Sequence, residues 1–171
     1  SFYPQNFGIE LFQTNRALRA HETFGSDKSI TREEFYQYKF DTKYSTQSVM
    51  AVNLKKFLIE ASSKDPDINE ALKLLREWDL DTDSTSTATH LAIRAISPQF
   101  NPADYEYDAE EIMDRLKKAV SWLKGNFGRL DVKWGDIQRL QRGETNLSLS
   151  GGPDILRAVY SKEKDDRYVG I

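Results

Sequence analysis

Three aspartates two residues apart, Asp79, Asp81 and Asp83 in the stretch "WDLDTDSTSTATH", are the only carboxylates of the chain spaced like the first ligands of a calcium loop. Short carboxylates at positions 1, 3 and 5 of such a loop converge on one hard cation. The rest of the loop is missing, because Ser84 stands where the sharp turn needs glycine and His90 where a bidentate glutamate belongs. The competing reading is a turn between two helices, in which Asp83 or Ser84 caps the helix carrying Ala88 to Ile96 and its acidity complements the positive helix end. That reading is preferred, and no metal is expected.

Other chemistry is thinner. His21 and His90 are the only histidines, with no paired-histidine spacing for zinc and no GxSxG elbow for a serine nucleophile. Both read as ordinary polar helix residues. Gly151-Gly152-Pro153-Asp154 and the Trp134-Gly135-Asp136 stretch fit neither phosphate-cradle pattern and read as tight turns. Ser1 could use its own α-amine as base. It is followed by Phe2-Tyr3-Pro4 and a helix rather than by a buried strand, which argues against that use.

The elements that would position these residues are mostly helical. "FGIELFQTNRALRA" reads as a helix from Phe7 to Ala20, closed near Gly25. Thr31 and Glu34 form a capping box flanked by Ile30 and Phe35 at staple spacing, opening a helix over 31–39. Further helices are expected from about Thr46 to Ala61, from the Asp65-Pro66 start through Trp78, from Ala88 to Ile96, and from Asp108 to Gly125. Residues 1–125 thus form helical hairpins within a single segment of 1–171. Residues 126–171 read as loops and short strands, with Leu156 to Tyr160 as one strand. The fold class is mainly α with an irregular tail.

Composition narrows the partners. With 24 basic and 27 acidic residues interleaved along the chain, no basic stripe follows a phosphate backbone, so nucleic acid is not expected. No apolar run approaches the roughly 20 residues that cross a bilayer, and no membrane partner is expected. The absence of cysteine excludes disulfides and thiolate chemistry.

Read in order, "TNRALRAHE", "SITREEFYQYKFDTKYS", "ALKLLREWDLDTDSTSTA", "LKGNFGRLDVKWGDIQRLQRG" and "LSGGPDILRAV" resemble the interior of the β-subunit of penicillin-acylase-type N-terminal-nucleophile hydrolases. The resemblance spans roughly Gly8 to Val159 and is nearest the acyl-homoserine-lactone and cephalosporin acylase branch. It implies a segment of a larger αββα hydrolase, exported to the periplasm or secreted. Such an enzyme cleaves itself into two chains and hydrolyses a small-molecule acyl amide through the freed serine of its β-chain. That serine, usually followed by asparagine, and the oxyanion-hole asparagine would both lie upstream. Ser1 would then be a fragment boundary.

The resemblance carries one residue over. Arg16 in "TNR" matches an arginine that in relatives organises the asparagine and the substrate, a role suited to a permanently charged, planar guanidinium. A helix-surface ion pair with Glu22 or another nearby carboxylate is the alternative. The structural calcium of some relatives takes a carboxylate before this helix, and Tyr3 to Phe7 supply none. In the family a histidine often follows Trp-Gly-Asp before Arg-Leu, whereas this chain has Ile137-Gln138 before Arg139. The chain is therefore expected to pack against the remainder of the β-subunit and the α-subunit, without cofactor, and to self-associate when isolated. A stand-alone helical interaction module is the rival.

Overall fold

Ser48, Asp65 and Asp108 each turn extended chain into helix by accepting hydrogen bonds on their side chains from amides of the first turn. They open α3 (Val49–Glu60), α4 (Pro66–Glu77) and α6 (Ala109–Phe127), with proline in the first turn of α4. The computed structural model describes residues 12–96, 106–156, 161–164 and 167–170. Its other helices are α1 (Asn15–Ala20), α2 (Arg32–Lys39), α5 (Thr89–Ile96) and α7 (Trp134–Ile137), and α1 runs on into a π turn over His21–Gly25. The molecule is mainly helical, as its apolar periodicities require.

Helix α5 is the centre of the core. Seven of its eight residues are buried, and its Leu91, Ile93 and Ile96 pack among Leu54 and Phe57 of α3, Leu72 and Leu75 of α4, and Leu116 and Leu123 of α6. With Arg94 alone short of full burial, the helix is internal although it carries the polar Thr89 and His90. By contrast α2 has no buried residue and presents Phe35 and Tyr36 outward, with Phe40 just past its end also exposed.

Several expected boundaries move. The first helix starts at Asn15 rather than Phe7, since residues 12–14 are not helical and the Thr14 hydroxyl accepts from the Ala17 amide at 3.3 Å; Phe7 to Leu11 lie outside the described residues. The capping box at Thr31 is present in both directions, with Phe35 edge-on to Phe24 at 6.0 Å. Helix α5 begins at Thr89, beyond the reach of Asp83 or Ser84 as its cap. Helix α6 runs past Gly125 to Phe127 and stops at Gly128, whose φ of 70° and N–H to the Lys124 carbonyl close it in the left-handed region.

The expected short strands of the tail are present. β1 (Arg139–Arg142) and β2 (Thr145–Ser148) form an antiparallel hairpin, β3 (Ser161–Lys164) and β4 (Arg167–Gly170) a second, and β1 meets β4 in parallel at Arg139 and Val169. The strand expected over Leu156 to Tyr160 falls, beyond Leu156, outside the described residues. The Trp134-Gly135-Asp136 stretch is the short helix α7 rather than a turn.

Candidate functional site

Arg16 lies half-buried in the first turn of α1. Its Nε donates to the carbonyl of Ile155 at 3.1 Å. Among the described residues this is its one side-chain hydrogen bond, and no carboxylate lies within ion-pair distance of it. Glu22, the partner considered for a surface pair, is engaged elsewhere: one oxygen accepts from Arg19 at 2.6 Å and the other from the Ser45 hydroxyl at 2.5 Å. Arg19 in turn forks onto Asp41 at 2.8 and 2.7 Å, and this hydrogen bonding holds its guanidinium well above the ordinary range. Among the described residues, the Nη groups of Arg16 therefore have no hydrogen-bond partner.

Asn15, beside it, is buried and makes four hydrogen bonds. Its amide donates to the Asp154 carboxylate at 2.7 Å, its side-chain nitrogen donates to the carbonyls of Lys43 at 3.2 Å and Asp154 at 2.9 Å, and its side-chain oxygen accepts from the Ser45 amide at 2.7 Å. One residue thus ties α1 to two segments far away in sequence. Burial pushes the Asp154 carboxyl up from its usual range, opposed by the Asn15 amide and the Arg16 charge.

The loop that presents Asp154 and Ile155 is itself clamped. Gly151 takes a φ of 115°, open to glycine and strained for other residues. Its amide donates to the Thr82 carbonyl at 2.7 Å, and its carbonyl accepts from Trp134 Nε1 at 2.7 Å and Gln138 Nε2 at 3.0 Å. Tyr44 donates its hydroxyl to the Pro153 carbonyl at 2.6 Å. Gln138 thus has a buried structural role.

The aspartate stretch belongs to this scaffold. Asp79, Asp81 and Asp83 accept in succession from the amides of Asp81, Asp83 and Thr85, winding the chain two residues at a time. Asp81 also accepts from the Thr42 hydroxyl at 2.6 Å, and the Lys43 ammonium lies 3.6 Å from both Asp79 and Asp81. A lysine of the chain itself answers the negative charge. Burial opposes ionisation of Asp83, yet the hydrogen bonds from Thr85 and Ser86 bring its carboxyl below the usual value. Among the described residues no three carboxylates or imidazoles are grouped to hold a metal. Trp78 Nε1 closes the turn onto the Asp81 carbonyl at 2.7 Å.

His90 is not the ordinary polar helix residue that the sequence suggested. It is 2% exposed, stacked at 4.8 Å on Trp122, and neither ring nitrogen has a hydrogen-bond partner. Burial, aided by the Arg94 charge, lowers its pKa to about 3, so it stays neutral. Among the described hydrogen bonds none joins a histidine to a serine, and no serine–histidine–carboxylate relay is assembled.

What the arrangement offers is a guanidinium anchored at Nε whose Nη groups meet no hydrogen-bond partner among the described residues, beside a half-buried carboxylate. It can orient a carbonyl or a carboxylate and stabilise charge on oxygen. Of this site the sequence singled out Arg16 but not Asn15 or Asp154. The signal lay in their placement inside two of the ordered stretches, "TNR" and "GGPD", which the fold brings together across 139 residues. A family model described as penicillin amidase matches residues 1–170. No curated protein matches the chain.

Proposed function

Because the chain belongs to the penicillin amidase family, we propose that it forms one wall of the acyl-binding site of an N-acyl amide hydrolase, with Arg16 organising the substrate and the oxyanion-hole asparagine. The guanidinium of Arg16, anchored at Nε and without an ion pair among the described residues, is the observation that supports this most directly. The reaction is acyl transfer from an amine to a serine and then to water, and a fixed cation near the carbonyl lowers the cost of the oxygen charge that develops. The nucleophile belongs to a segment outside these 171 residues. The remainder of the β-subunit and the α-subunit are the partners, and the enzyme is exported. The order of the motif stretches favours acyl-homoserine lactones or cephalosporin-type side chains as substrates.

The test is hydrolysis of acyl-homoserine lactones and chromogenic acyl anilides by the parent enzyme. Arg16→Ala lowers kcat/KM by about a hundredfold, and Arg16→Lys recovers little, because an ammonium lacks the Nε anchor and the planar fork. The 171 residues alone turn nothing over; turnover that depends on Ser1 would overturn the proposal. A stand-alone interaction module remains the second reading, favoured by the exposed Phe35 and Tyr36 of α2 and Phe40 at its end. A parent reading frame lacking any upstream strand that begins Ser-Asn decides for it.

A further inference from the structure

We propose that the Gly151–Ile155 loop is a positioning element for Arg16, with Asp154 and Asn15 as its positioning residues. This rests on the reading of Arg16 as the substrate-organising group. Three hydrogen bonds cross from the loop to two consecutive residues of α1: Asp154 takes the Asn15 amide on its carboxylate and the Asn15 side chain on its carbonyl, and Ile155 takes Arg16 Nε. The amide and side chain of one residue and the guanidinium of the next are thereby held from a single short loop.

The loop's own geometry is suited to this. Asp154 adopts a φ of 59°, a left-handed conformation that is strained for a non-glycine residue and persists where its surroundings over-determine it. In that conformation its side chain and its carbonyl both face Asn15. Ile155 is 1% exposed in the core, so the carbonyl that receives Nε does not drift. Gly151 and Pro153 are fastened by Trp134, Gln138 and Tyr44. An arginine on a six-residue helix would otherwise sample many rotamers; tied at Nε, its plane is set and only the Nη groups face a partner.

A double-mutant cycle in the parent enzyme tests this. Asp154→Ala lowers kcat/KM for amide hydrolysis between roughly tenfold and a hundredfold, the scale expected of a misplaced catalytic contact. Asp154→Asn recovers most of it, since an amide oxygen still accepts from the Asn15 amide. On an Arg16→Ala background, Asp154→Ala costs less than threefold, because there is no guanidinium left to misplace. A purely structural role would lower both backgrounds equally, and that additivity would overturn the inference while leaving the role of Arg16 intact. If Arg16→Ala itself leaves kcat/KM unchanged, the functional reading fails and this inference fails with it. Should Asp154→Ala not fold, the exchange rate of the Arg16 Nε proton in Asp154→Asn decides: protection close to wild type supports the loop, and loss of protection at full activity refutes it.

Discussion

The four hydrogen bonds of Asn15 leave little room for another residue. Alanine would strand the Ser45 amide and the carbonyls of Lys43 and Asp154 in a buried site, at about 1–3 kcal/mol for each group left unsatisfied. Aspartate would keep the acceptor for Ser45 but could donate to neither carbonyl and would add a second carboxylate beside Asp154. Urea unfolding should therefore rank Asn15→Asp below Asn15→Ala, with both well below the wild type. The buried imidazole of His90 makes a second prediction. Neutral in the fold down to about pH 3, it takes up a proton in the unfolded chain near its ordinary 6.5. Its contribution is intact above that value and declines as pH falls from 6.5 toward 3, by on the order of 5 kcal/mol in total. Stability measured from pH 7 to 4 should fall with a slope that His90→Leu flattens; an unchanged slope in the variant would refute the assignment.

At the scale of elements, two glycines near the end of α6 separate cleanly. Gly125 lies inside the helix with nothing within 4 Å of where a Cβ would be, and Gly128 closes it at a φ of 70°. Alanine at Gly125 should stabilise the protein by about 0.5–1 kcal/mol, and alanine at Gly128 should destabilise it by roughly 1 kcal/mol. Opposite shifts in thermal midpoint confirm this; shifts of the same sign would not. The same pair explains what the sequence could and could not yield. Helices opened by a local device, the Thr31–Glu34 box, Asp65-Pro66 and Asp108, were legible because capping depends on residues within one turn. The stop of α6 was misplaced because either glycine suits a helix end, and only the backbone angle chooses. Asp83, a good cap by type, does not cap α5 because it is used by its own turn, donated to by Thr85 and Ser86. The contact between "TNR" and "GGPD" left no periodic trace, since it depends on polar groups meeting across most of the chain.

At the scale of the whole molecule, burial is uneven. The core gathers around α5, and the motif stretches knit together where Thr82, Trp134 and Gln138 hold Gly151. Helix α2 takes no part in that core: Phe35, Tyr36 and Phe40 are 46%, 46% and 49% exposed, with Ile30 beside them at 40%. Three half-exposed aromatics, two on one short helix and the third at its C-terminal end, form an apolar surface that water solvates poorly. The isolated chain should therefore self-associate through α2 rather than through the segment after Gly151, whose Gly151 to Ile155 groups are already engaged internally. Replacing Phe35 and Phe40 by serine removes no fully buried side chain, so the thermal midpoint should hold while association weakens. Light scattering over a concentration series distinguishes the cases. A mass rising with concentration in the wild type and flat in the double variant supports the prediction, and a wild type that stays monomeric throughout contradicts it.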